Sequence, residues 1–214
     1  MFKAIIFDVD GVLVDSMRFH ADAWVESFRD VGITIRREDI YEIEGSNGWG
    51  IVRSIFKKAG RIPEPHHLEE IPLKKRTILD FERIKPFDGI VDVLQELKKH
   101  FTLALVSGSD RKIVEKMIEH FFPDVFEVTV AGIDVENGKP APDPYLKAVE
   151  MLGFEKEDCI VVENAPMGVE AAKAAGLYCV AVPSTLGAEM LQHADMVLDD
   201  HPALFRYLQS LKPE

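Results

Sequence analysis

Short apolar runs with almost no polar interruption recur along the chain at Ala4-Ile5-Ile6-Phe7, Leu103-Ala104-Leu105-Val106, Val128-Thr129-Val130-Ala131, Cys159-Ile160-Val161-Val162 and Cys179-Val180-Ala181-Val182. A strand with one wet face alternates apolar and polar residues, whereas continuous runs of this length belong to strands buried on both faces. Helical spacing fills the gaps between the later runs, over 90–99, 111–120, 144–152 and 167–175. Strand alternating with helix predicts an α/β fold with a doubly wound parallel sheet.

About ninety residues separate the first run from the second, where a simple crossover needs about a third of that. The excess predicts an insertion. Residues 17–31 place His20, Trp24, Phe28 and Val31 on one face of an amphipathic helix that Gly32 stops, and 50–59 and 67–83 also read as helices. The expected organisation is a core domain of residues 1–15 and 84–214 and an inserted α-helical cap of residues 16–83, hinged near Val14-Asp15 and Lys85-Pro86. No internal repeat or low-complexity segment interrupts this reading.

Composition narrows the partners. With 25 Lys+Arg against 37 Asp+Glu, the formal charge is -12, which argues against nucleic acid and anionic membrane while leaving room for a local basic pocket that takes a small anion. Asp8 and Asp10 break the first apolar run far short of a membrane span, and no signal peptide is evident, so the expected location is the cytoplasm. The two cysteines, Cys159 and Cys179, lie in separate apolar runs without metal-ligand spacing, so neither a zinc site nor a disulfide framework is expected. His66-His67, in a Pro-flanked polar stretch, reads as a solvated loop or helix start.

The densest local signal is Phe7-Asp8-Val9-Asp10-Gly11-Val12-Leu13-Val14-Asp15-Ser16. Ligands of open parallel sheets bind outside the carboxyl ends of the strands, which puts Asp8 at the rim of that crevice and Asp10 on the loop beyond it. Such crowding of acid against a buried strand is costly unless a cation compensates it. Three further strand-end or loop motifs follow in order. Ser107-Gly108 follows the second run, with a hydroxyl and a backbone N–H able to bind phosphate oxygens while Asp110 caps the next helix. Lys139 sits on a loop stiffened by Pro140, Pro142 and Pro144. Glu163-Asn164 ends the fourth run, with Gly168 in the helix that follows.

These four motifs, in this order over nearly the whole chain, resemble the haloacid dehalogenase superfamily of phosphohydrolases and phosphomutases, and the helical insertion after the first motif matches that family's cap. The resemblance is closest to the beta-phosphoglucomutase-like branch, which also holds phosphoglycolate and sugar-phosphate phosphatases, and it implies a Rossmann-like core. It implies Asp8 as the nucleophile that forms an aspartyl-phosphate, Asp10 as the general acid and base, and Ser107, Gly108 and Lys139 as the phosphate-binding groups. The acid at position 10 favours phosphoryl transfer over dehalogenation. Magnesium is the implied cofactor, with Asp8, the backbone carbonyl of Asp10 and the Glu163-Asn164 strand end as its ligands. Asn164 stands where the commonest pattern has an aspartate, so either a neutral amide oxygen replaces a carboxylate or the role passes to Glu163.

Substrate contacts are expected from the cap: His20 and Trp24 on its first helix, the turn Gly45-Ser46-Asn47-Gly48, and Lys75 and Arg76 on its last helix. The leading expectation is a Mg²⁺-dependent phosphatase acting on a small phosphorylated metabolite such as phosphoglycolate or a sugar phosphate, as a monomer or weak homodimer. A beta-phosphoglucomutase uses the same residues and is the nearest alternative. From another class come a receiver-like module, disfavoured by the early position of the acidic motif, and a non-catalytic phosphate-ligand binder.

Overall fold

The computed structural model describes residues 2–211. Strands β1 (Ala4–Phe7), β2 (Thr102–Val106), β3 (Val128–Val130), β4 (Cys159–Glu163), β5 (Tyr178–Ala181) and β6 (Met196–Val197) form one sheet in the order β3-β2-β1-β4-β5-β6. Every neighbouring pair is parallel, with Phe7 level with Leu105 on one side and with Val162 on the other. The strand order reverses direction between β1 and β4, the place where a doubly wound sheet opens a crevice at its carboxyl edge. Asp8 and Glu163 therefore flank that crevice from adjacent strands.

The continuous apolar runs are explained by burial on both faces. Ile5, Phe7, Leu103, Leu105, Ile160 and Val162 point to one side. There they meet α5 (Ile90–Leu97), α6 (Arg111–Phe121) and α9 (His201–Ser210). Ala4, Ile6, Ala104, Val106, Val161 and Cys179 point to the other side, toward α7 (Asp143–Leu152) and α8 (Pro166–Ala174). Both cysteines are free thiols buried in the second layer.

Helices α1 (Met17–Arg29), α2 (Arg37–Tyr41), α3 (Gly48–Lys58) and α4 (Pro65–Ile78) enclose an apolar cluster of their own. Trp24, Phe28, Ile55, Phe56 and Ile71 lie at its centre, with Trp24 stacked on Phe28 at 5.8 Å. The chain enters and leaves this layer through neighbouring segments: Asp15 N donates to Lys85 O at 2.9 Å and Val14 bridges Pro86. Among the described residues, no helix is long and apolar enough to cross a membrane.

Three elements escape the periodicity reading. β6 has two half-buried residues and too little pattern to register, and α2 is a five-residue turn in a charged stretch. α9 packs Leu204 and Leu208 onto the sheet; its start is marked by Asp200, which accepts from Ala203 N at 2.7 Å, and by Pro202 in the first turn. Asp200→Ala is expected to lower stability by about 1 kcal/mol through loss of this cap, read as a shift in urea midpoint at constant slope. The helix expected over 67–83 ends at Ile78, and a short 3-10 turn at Phe81–Arg83 completes the return. His67 belongs to the first turn of α4, its Nδ1 accepting from Glu64 N at 3.0 Å.

Candidate active site

The crevice at the β1–β4 switch is lined by charge that the sheet alone cannot solvate. Asp8 follows β1, where its N–H extends the ladder to Val162 O at 2.9 Å. Its carboxylate is buried against Lys139, whose Nζ lies 2.6 Å from Asp8 Oδ1 and 2.6 Å from Glu163 Oε1. Burial pushes the Asp8 carboxyl up to about 8 against the pull of Lys139, and the charges of Glu163 and Asp10 add to the rise. Burial works against the Lys139 charge too, but the two carboxylates beside it prevail and hold the ammonium firmly protonated.

Asp10 lies on the loop beyond. Gly11 turns that loop with φ +91, and a β-carbon there would lie 2.2 Å from Asn164 Nδ2, so both backbone and space demand glycine. Asp10 Oδ1 accepts from Ser16 Oγ at 2.6 Å and Oδ2 from Ser109 Oγ at 3.0 Å. His20 Nε2 lies 3.0 Å from Oδ1, within ion-pair range though off the hydrogen-bond direction. Burial would raise the Asp10 carboxyl, but His20, Ser16 and Lys75 outweigh it and hold the group below the usual carboxylate range. His20 Nδ1 in turn meets Lys75 Nζ at 2.6 Å. Burial lowers the His20 imidazole, with Lys75 adding to the effect and Asp10 opposing it. Burial also brings Lys75 down to about 8 despite Asp10 and Asp110.

Ser107 is buried at the end of β2 and its Oγ accepts from Ser109 N at 3.0 Å, which leaves the hydroxyl proton for a ligand. Gly108 receives the turn that precedes α3: a β-carbon on it would lie 2.6 Å from Gly45 O and 2.7 Å from Ser46 O. Asn47 caps α3 by accepting from Gly50 N at 2.9 Å. Asp110 caps α6 through Lys112 N at 3.0 Å, as the sequence predicted, and also binds Arg76 of α4 at 2.8 Å. Asp8, Asp10, His20, Trp24, Lys75 and Arg76 line a common cavity, open to solvent, together with the whole turn from Gly45 to Gly48. Trp24 thus both packs in the helical cluster and faces the cavity.

Glu163, implied as a metal ligand, is engaged by protein groups on both oxygens. Its Oε1 accepts from Lys139 at 2.6 Å and from Tyr145 Oη at 2.7 Å, and its Oε2 accepts from Asn164 N at 2.8 Å and Ala165 N at 3.1 Å. All four lone-pair positions are taken in this arrangement, in which Glu163 fixes Lys139. Asn164 is different: Nδ2 donates to Glu44 Oε1 at 2.6 Å and to Ser184 Oγ at 2.8 Å, while its Oδ1 is buried without a partner. Glu44, which periodicity left unremarked, is likewise buried with Oε2 unpartnered, and burial drives its carboxyl well above the usual range. Among the described residues no three His, Cys, Asp or Glu side chains already converge on a metal position. The orphaned oxygens of Asn164 and Glu44 are nevertheless hard donors, and they fit a divalent cation of the magnesium class.

A family model described as haloacid dehalogenase-like hydrolase matches residues 5–182. The chain belongs to that family. Among curated relatives of this haloacid dehalogenase-like hydrolase, the fructose-1-phosphate phosphatase YqaB of Escherichia coli strain K12 is 29% identical over 182 residues, covering 85% of this chain and 96% of the relative. The beta-phosphoglucomutase of Bacillus subtilis strain 168 is 29% identical over 209 residues, 92% of either chain. A crystal structure of beta-phosphoglucomutase from Clostridium difficile superposes with a TM-score of 0.88 at 25% identity, covering 98% of this chain and 96% of that one. Family membership sets aside the receiver-like alternative.

Proposed function

We propose that this hydrolase is a divalent-cation-dependent phosphatase of small phosphate monoesters, with residues 16–83 acting as a cap over a core of 1–15 and 84–214. The observation that carries the reading is the pairing of Asp8 with Lys139 at 2.6 Å beneath a cavity that Asp10 and the helical layer share. Asp10, held as an anion by His20 and Ser16, takes up a proton as the substrate phosphate brings further negative charge beside it; Asp8 then attacks phosphorus and the ester P–O bond breaks, giving an aspartyl-phosphate and an alcohol that takes that proton from Asp10. Water then attacks the same phosphorus, Asp10 recovers a proton from it, and inorganic phosphate leaves with the Asp8 carboxylate restored. Ser107, the Gly108 N–H and Lys139 hold the phosphate oxygens, and His20 and Lys75 form a chain of polar contacts from Asp10 into the cap. Mg²⁺, held by Asp8, the Asp10 carbonyl and Asn164 Oδ1, would supply charge neutralisation of the phosphate.

The names of the relatives include both phosphatase and mutase. Hydrolysis is favoured because the cations that the cap offers to the cavity are already engaged, Lys75 on His20 and Arg76 on Asp110. A mutase passing a bisphosphate through two orientations needs a second anion site. The cavity wall instead adds Met17, Trp24, Ile40, Ile51 and Pro72, which supports a monophosphate with an uncharged distal end. Phosphorus NMR with Mg²⁺ and, in separate tubes, phosphoglycolate, several sugar phosphates, and beta-glucose 1-phosphate with a trace of glucose 1,6-bisphosphate tests the reading. Inorganic phosphate is expected; glucose 6-phosphate without phosphate release would make the chain a mutase, and no conversion in any tube would leave a phosphate-ligand binder.

Gly108 offers a separate check on the cap. Gly108→Ala would force the Gly45-Ser46 carbonyls off their seat, and kcat/KM is expected to fall about 10- to 100-fold with the melting temperature little changed. Undiminished kcat/KM would mean that seating the turn is not part of turnover.

A further inference from the structure

We infer that Glu44, from the helical layer, is a direct ligand of the divalent cation, so that the cap supplies the carboxylate that Asn164 lacks. The inference rests on the cation-dependent reading above and deepens it. Glu44 follows α2, is 4% exposed, and spends one oxygen on Asn164 Nδ2 at 2.6 Å while the other, Oε2, is buried without a partner. Asn164 is 1% exposed and orphans its own Oδ1. Its amide orientation is fixed by two acceptors, Glu44 and Ser184 at 2.6 and 2.8 Å, both on Nδ2. Glu44 lines the same cavity as Asp8 and Asp10. Two unsatisfied hard oxygens, on side chains that already touch each other between the helical layer and the strand end, are a donor set that water-sized neutral partners suit less well than a dication.

The pairing also accounts for the amide at position 164. An aspartate there would set a second carboxylate about 2.6 Å from Glu44, and both could not be ionised together without a cation beside them. The negative charge has in effect moved from the strand end to the cap. Cation binding is then completed only when the turn at Gly45-Ser46 is seated on Gly108, which couples loading of the site to closure.

The test is Mn²⁺ titration of the whole protein without substrate, followed by loss of the free-ion EPR signal, with Mg²⁺ competition. Glu44→Gln keeps the acceptor for Asn164 but removes the charge, and it is expected to weaken Mn²⁺ binding by about 10-fold or more. Glu42→Gln, two residues away and exposed on Lys58, is expected to bind as the wild type does. The double variant Glu44→Gln with Asn164→Asp returns a carboxylate to the strand end, now facing an amide donor, and is expected to recover most of the affinity. A Glu44→Gln titration within twofold of wild type, or a double variant no tighter than Glu44→Gln, would overturn the inference while leaving the phosphatase reading intact. A wild-type protein that binds neither ion would remove both the inference and the cation dependence beneath it. Should Glu44→Gln fail to fold, Glu44→Asp, which retracts the carboxylate by one methylene, decides the matter in the same way: weaker binding supports it and unchanged binding overturns it.

Discussion

Asp8→Asn is expected to reduce phosphate release by about 10⁴-fold or more while the protein unfolds at nearly the wild-type denaturant concentration. An amide cannot form the acyl-phosphate, but its oxygen still accepts from Lys139, and Lys139 keeps its second partner, Glu163, at 2.6 Å. The variant therefore loses the nucleophile without stranding a buried ammonium. Steady-state phosphate release and a urea titration on one preparation measure both halves. Activity above a few per cent of wild type would exclude Asp8 as the nucleophile, and a large drop in midpoint would mean that the Asp8 charge also holds the fold.

Lys139→Ala has the opposite balance, and both readouts are expected to move. Its side chain is 1% exposed between carboxylates that are 7% and 0% exposed. Removing one member of a buried ion cluster leaves the others uncompensated, at a cost of about 3–5 kcal/mol. Turnover is expected to fall as well, by about 10²-fold or more, through loss of a charge aimed at the phosphate. Adding saturating Mg²⁺ before the denaturant titration is expected to recover part of the stability, since a cation bound beside Asp8 offsets the same charge. If Lys139→Ala unfolds as the wild type does, the cluster is held by something other than this ammonium.

Much of this arrangement could be read from the residues. The apolar runs gave the parallel strands because burial on both faces removes alternation, and the glycine after Asp10 and the prolines around Lys139 marked loops whose shape matters. The electrostatic partners were less visible because they come from distant positions in the chain. Glu163 sits next to Asn164 in a ligand-like position, yet Tyr145 and Lys139 claim it, and neither partner is implied by the strand-end pattern. Glu44 follows a run that includes Arg36, Arg37, Glu38, Asp39 and Glu42, where one more acid looks like part of a solvated surface. Only the seating of that turn against the sheet edge turns it inward. Ser16, read as the end of a motif, and Ser109, two residues past Ser107, become the two hydroxyls that orient Asp10.

The paired entry and exit of the helical layer has a further consequence. Asp15 and Lys85 share a backbone hydrogen bond of 2.9 Å, so the excursion between them starts and finishes at one spot on the sheet edge. Its length imposes little on the strands beneath, because the ends are already joined whatever lies between them. A different helical insert grafted between Asp15 and Lys85 would leave β1 and β2 their register. The excursion can be exchanged as one piece only if the new insert returns a carboxylate at the place of Glu44 and a partner for Asp10 at the place of His20.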